Sequence, residues 1–113
     1  MKALTKDIRA KLIKNRELMA DPNYDNNGET KPVVKLFVCV GGNATWLLSD
    51  MDEDGLAFGL CDLGLGFPEL GYVDVNELET ELGWRLERDM HWTATKSLRD
   101  YAQDAYAAGR VVA

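Results

Sequence analysis

Residues 33–62 read VVKLFVCVGGNATWLLSDMDEDGLAFGLCD, and this stretch decides the architecture. Val33–Val40 is apolar at nearly every position and rich in β-branched and aromatic residues, the composition of a strand covered on both faces. The turn sequence Gly41-Gly42-Asn43 follows, and Ala44–Ser49 returns as a second strand, so the pair reads as a hairpin. Asp50–Gly55 is a second turn leading into Leu56–Asp62. There Leu56, Phe58 and Leu60 fall on one face and Ala57, Gly59 and Cys61 on the other, because successive strand side chains point to opposite sides. A face of small residues lets a helix approach closely.

Working outward, Thr5 is placed to cap a helix running to about Met19, with Ile8, Leu12 and Met19 on one face and Lys6, Arg9, Lys11, Lys14 and Arg16 distributed around it. Turn formers at almost every position make residues 21–32, DPNYDNNGETKP, an irregular connector. After the third strand, the Gly-rich segment Leu63–Gly71 precedes a short strand at Tyr72 and Val73. Asp74 and Glu77 have capping-box spacing for a short helix that stops near Gly83. Arg85–Thr93 alternates, with Leu86, Met90 and Trp92 facing one way and Arg85, Glu87, Asp89, His91 and Thr93 the other, which predicts a half-buried strand. Ser97 caps a last helix to about Ala108 whose buried stripe is Leu98, Tyr101, Ala102 and Ala105. The expected fold is α+β: a single domain over 1–113, with an antiparallel sheet of four to five strands flanked by an N-terminal helix, a short middle helix and a C-terminal helix.

A chain of 113 residues with 46% apolar and 28% charged content has the size and composition of one autonomously folding domain. Its longest apolar run, Leu36–Gly42, is too short to span a bilayer, and the charged N-terminal region does not read as a signal peptide, so a cytoplasmic location is expected. Cys39 and Cys61 both lie in apolar runs, where reduced core thiols are expected rather than a disulfide. The net charge of −6 is unevenly distributed. Between Leu36 and Trp84 there are ten acids and no Lys or Arg, while the other nine acids share the rest of the chain with all thirteen bases. Direct nucleic-acid contact through this middle is disfavoured, because phosphate binding needs cations. A basic or nucleic-acid-binding protein is the expected partner.

The motifs that suggest chemistry are weak. Asp50–Gly55 resembles the first half of a calcium loop, but its closing position is Cys61 instead of a glutamate, and strands flank it where helices should be. The glycines at 64, 66 and 71 match neither a dinucleotide fingerprint nor a P-loop. Glu87, Asp89 and His91 share a strand face, but Glu87 and His91 would be roughly 14 Å apart at ~3.4 Å per residue. A metal or acid–base site there would need Asp89 and His91 joined by Cys61, Asp62 or Glu69 from another segment. The thiolate of Cys61 is disfavoured by its apolar surroundings and by Asp62.

VKLF (34–37), ATWLL (44–48), FGLCDLGLGFPELGY (58–72) and ERD (87–89) together resemble a bacterial family catalogued as domain of unknown function 2958. The Gly-rich part, residues 61–71, is the most specific portion. The resemblance implies a small stand-alone protein carried on plasmids, phages and other mobile elements, and it brings no catalytic residue. The expectation is therefore a non-catalytic binding protein that needs no cofactor. It would be of anti-restriction or anti-CRISPR type and would dock through Asp52, Glu53, Asp54, Asp62 and Glu69. A small hydrolytic or metal-dependent enzyme using Asp89 and His91 with Cys61 and the loop is the alternative.

Overall fold

The computed structural model describes residues 3–113. In order along the chain are α1 (Lys6–Ala20), β1 (Val34–Val38), β2 (Thr45–Met51), β3 (Leu56–Asp62), β4 (Glu69–Asp74), α2 (Val75–Leu82), a 3-10 turn (Gly83–Arg85), β5 (Leu86–Arg88) and α3 (Leu98–Ala108). The strands form one sheet in the order β4-β3-β2-β1-β5, antiparallel at every junction. This is the α+β architecture expected. No helix among the described residues is long and apolar enough to cross a membrane.

Strand alternation assigns the two faces of the sheet to different helices. Val34, Leu36, Trp46, Leu48 and Ala57 join Leu12 of α1 and Val75 of α2 in one cluster, with Cys61 packed against it. Leu47 and Leu60 join Leu98, Tyr101, Ala102 and Ala105 of α3 in the other. The stripe on α3 is the one its sequence predicts, and the small face of β3 is the one turned to the first cluster. Complete burial of side chains such as Leu12, Leu47 and Leu60 stabilises the fold by about 2 kcal/mol each.

The helices begin where their caps place them. Thr5 Oγ1 accepts from Ile8 N at 3.2 Å, Asp74 Oδ1 accepts from Asn76 N and Glu77 N, and Ser97 Oγ accepts from Asp100 N. Between β2 and β3 the register shifts at Leu48/Asp50, which marks a bulge at Ser49. A bulge takes a carbonyl out of the ladder, and Asn15 Nδ2 of α1 donates to Ser49 O at 2.9 Å. The helix is thereby keyed to the irregular point of the sheet.

Four expectations are corrected. The strand predicted over Arg85–Thr93 is only Leu86–Arg88. Asp89 Oδ1 accepts from His91 N, and Trp92 N donates to Asp89 O, so the chain turns where alternation promised extension. Met90, expected inside, is 71% exposed. Cys39 lies past the end of β1 and is exposed, so only Cys61 is partly covered; both thiols are free. β4 begins at Glu69, which confines the irregular Gly-rich path to residues 63–68. Finally, Met19 of α1 is 46% exposed and lines a small depression beside Phe58 and Tyr72.

Candidate functional site

The acidic middle of the chain is partly neutralised by the basic first helix. Arg9 Nη2 meets Glu79 Oε1 at 2.6 Å, and Arg16 Nε meets the buried Asp50 at 2.5 Å. Asp52 spends one carboxylate oxygen on the backbone amides of Asp54 and Leu56, both at 2.9 Å, shaping the β2–β3 turn and leaving Glu53 and Asp54 exposed. The turn packs on the start of α2, with Val75 N donating to Gly55 O and Asn76 Nδ2 to Asp54 O, each at 3.0 Å. Asp52, Glu53, Asp54, Asp74 and Glu77 therefore gather at one end of the sheet.

The other two expected contacts are elsewhere. Asp62 is buried, 5% exposed, and its carboxylate accepts from Gly64 N at 2.8 Å and Val111 N at 2.9 Å. It ties the Gly-rich loop to the C-terminal tail and has no free face for a partner. Glu69 starts β4 opposite Cys61, at the end of the strand remote from Asp74. The five acids chosen from the sequence do not share one surface.

The catalytic alternative is divided in the same way. Asp89 and His91 follow β5 at one edge of the sheet, whereas Cys61, Asp62 and Glu69 belong to β3 and β4 at the opposite edge, with β1 and β2 between them. No group of three or more His, Cys, Asp or Glu among the described residues is arranged to hold a metal ion. Burial of Cys61, with the charge of Glu69 adding to it, pushes the thiol pKa up to about 11. This thiol is protonated at neutral pH and is a poor nucleophile. Iodoacetamide at pH 7.5 is expected to modify the exposed Cys39 and spare Cys61, which should react only as the pH approaches its pKa; peptide mass mapping across a pH series checks this. Because the pKa is raised in the folded state, the protonated thiol's contribution to stability is intact below its ordinary value of 9.0 and is lost as pH rises through about 11.

The surface that stands out is apolar, and it was not singled out in the sequence. Leu63, Leu65 and Phe67 are 59%, 74% and 80% exposed, and on the adjoining strand β4 Leu70 and Tyr72 are 39% and 65% exposed. Gly64 (φ +80°) and Gly66 (φ +88°) hold the left-handed conformations that turn the intervening side chains outward. An added Cβ at Gly64 would lie 1.7 Å from Asn43 Oδ1. The glycine thus lets the loop press against the β1–β2 turn while Asp62 holds its amide. Tyr72 rests edge-on against Phe58 at 5.0 Å, with the Arg16 guanidinium 6.0 Å from its ring centroid. The signal was present in LGLGF: every non-glycine residue is apolar, and the glycines forbid a regular element that would bury them.

A depression of about 640 Å³ between α1, the connector and the segment near Trp92 is open and mainly polar, lined by Lys11, Asn15, Asn26 and Thr30 among others. It holds none of the expected site residues. A family described as "Protein of unknown function (DUF2958)" matches residues 3–112, nearly the whole chain. No curated protein and no solved structure matches.

Proposed function

We propose that this chain, which belongs to the DUF2958 family, is a non-catalytic protein-binding module whose contact surface is the Gly-rich loop and the strand that follows it. The observation that carries this reading is the exposure of Leu63, Leu65, Phe67 and Tyr72, each more than half open to water, on two adjoining segments. Single exposed apolar residues are ordinary, but a contiguous run marks a surface that a partner dries. Burying one such side chain contributes about 2 kcal/mol. The loop is held in place before binding by Asp62, so little ordering remains to oppose association.

The acids flanking this surface, Glu69 at one end of β4 and Asp74 with the Asp52–Asp54 turn at the other, favour a partner with an apolar contact ringed by Lys and Arg. Nucleic-acid-binding proteins present such cationic surfaces. Covering one would exclude its nucleic acid, which is the action of an anti-restriction or anti-CRISPR type inhibitor carried by a mobile element. We attach that setting to the module through the family resemblance.

The test compares pull-downs from native host cells, quantified by mass spectrometry. Leu65→Ser combined with Phe67→Ser should reduce capture of the specific partner by at least about tenfold while leaving the thermal melt unchanged. Glu53→Gln with Asp54→Asn should retain capture but weaken its salt dependence. Wild-type capture by the loop variant would overturn the reading.

A further inference from the structure

We propose that β4 accepts an extended, basic-ended segment of the partner protein as an additional strand of the sheet. This rests on the protein-binding reading and states how the partner is held. β4 pairs only with β3 and closes the sheet on that side. Its register runs unbroken from Leu56↔Asp74 to Cys61↔Glu69, and its sequence, ELGYVD, has no Lys and no Pro. Natural edge strands are commonly blunted by shortness, bulges, proline or lysine. The opposite edge, β5, is only three residues long; β4 has none of these protections over six residues.

The ladder also shows which backbone groups are free. Val75 N donates to Gly55 O just beyond β4, in the same register as the strand pair. Because hydrogen-bonded positions alternate along an antiparallel strand, Glu69, Gly71 and Val73 direct their amides and carbonyls to β3. Those of Leu70 and Tyr72 therefore point away from the sheet. Gly71 lies between them, and a Cβ built there meets nothing within 4 Å, so no neighbouring group fills that position. Unpaired amides and carbonyls beside exposed apolar side chains are what a strand ligand satisfies.

Charge chooses between occupants. Glu69 and Asp74 bracket the strand, and no Lys or Arg occurs anywhere from Leu36 to Trp84. Arg16, the cation nearest Tyr72, is held by Asp50. A second copy of this chain pairing antiparallel along β4 would set Leu70 opposite Tyr72 and gather Glu69 of one copy and Asp74 of the other at each end of the new ladder, with no Lys or Arg from either sheet edge to offset them. Like charges gathered so closely are unfavourable. A segment with apolar or β-branched residues at its centre and Lys or Arg at its ends complements the same edge.

The experiment is an NMR titration of isotopically labelled full-length protein with the synthetic peptide Lys-Val-Thr-Val-Thr-Val-Thr-Lys and with its glutamate-ended counterpart. At low salt the lysine-ended peptide should shift the amides of Leu70 and Tyr72, slow their hydrogen exchange, and bind about tenfold more tightly than the glutamate-ended one. Leu70→Pro removes an outward amide at an edge position that tolerates proline and should abolish these effects, whereas Leu70→Thr, which keeps the amide, should preserve them. The proposal is overturned if millimolar peptide leaves β4 unperturbed, if both peptides bind alike, or if Leu70→Pro binds as wild type. Sedimentation showing a dimer that Leu70→Pro dissociates would overturn it by assigning the edge to a second copy. Loss of partner capture by the Leu65→Ser, Phe67→Ser variant together with a negative titration would retain the binding module and reject strand addition.

Discussion

Gly59→Ala is expected to destabilise the protein by about 3 kcal/mol, seen as a lower denaturation midpoint at unchanged slope. At Gly59 an added Cβ would lie 2.0 Å from Leu47 O and 2.8 Å from Leu48 Cα. Both are backbone atoms of β2 and neither can rotate away. The crowding occurs beside the point where the β2–β3 register shifts, since Gly59 is the partner of Leu48. Gly71 is the cross-strand partner of Gly59 on β4, and the Cβ built there meets nothing within 4 Å. Gly71→Ala should therefore leave the midpoint nearly unchanged, so two facing glycines are predicted to behave in opposite ways.

Arg16→Met should cost about 3 kcal/mol, since it strands a buried carboxylate. Asp50 is 2% exposed, and besides Arg16 its carboxylate is held by Ser49 Oγ at 2.8 Å. Losing the guanidinium leaves a charge that one hydroxyl cannot compensate. Asp50→Asn in the same chain removes that charge, and the double variant should recover most of the loss. A double-mutant cycle from urea denaturation would read the coupling directly. If Arg16→Met alone is neutral, the pair is not what fastens α1 to the end of β2.

The three consecutive strands were legible because their composition and their turns agreed: β-branched and apolar runs were separated by Gly41-Gly42-Asn43 and by the acidic Asp50–Gly55 turn. The stripe on α3 was legible because Ser97 fixed its start and four residues at helical spacing had to face something. Arg85–Thr93 failed for a local reason. Its alternation is genuine, but the Asp89 side chain captures the amide two residues on and turns the chain. The fate of Asp62 could not be read at all, since one of its partners is the amide of Val111, 49 residues away. Charge counted along the chain likewise omitted α1, whose arginines return from a distant segment to pair with Asp50 and Glu79. The apolar loop was visible in LGLGF, but glycine spacing tests only for a phosphate-binding loop and says nothing of where Leu63, Leu65 and Phe67 point, which the left-handed backbone at Gly64 and Gly66 decides.

The strand order has a consequence for the growing polypeptide. β1 to β4 pair as successive neighbours, so that their ladder is complete within residues 34–74, while β1 receives its second partner only when Leu86–Arg88 has been made. During synthesis the nascent meander ends on the five-residue β1 where the finished sheet ends on the three-residue β5, and this temporary margin includes Leu36 and Phe37, which pair with Arg88 and Glu87 in the finished fold. Translation of the last third of the chain thus doubles as the step that seals this side against aggregation, and a stall just after Gly83 would leave it open.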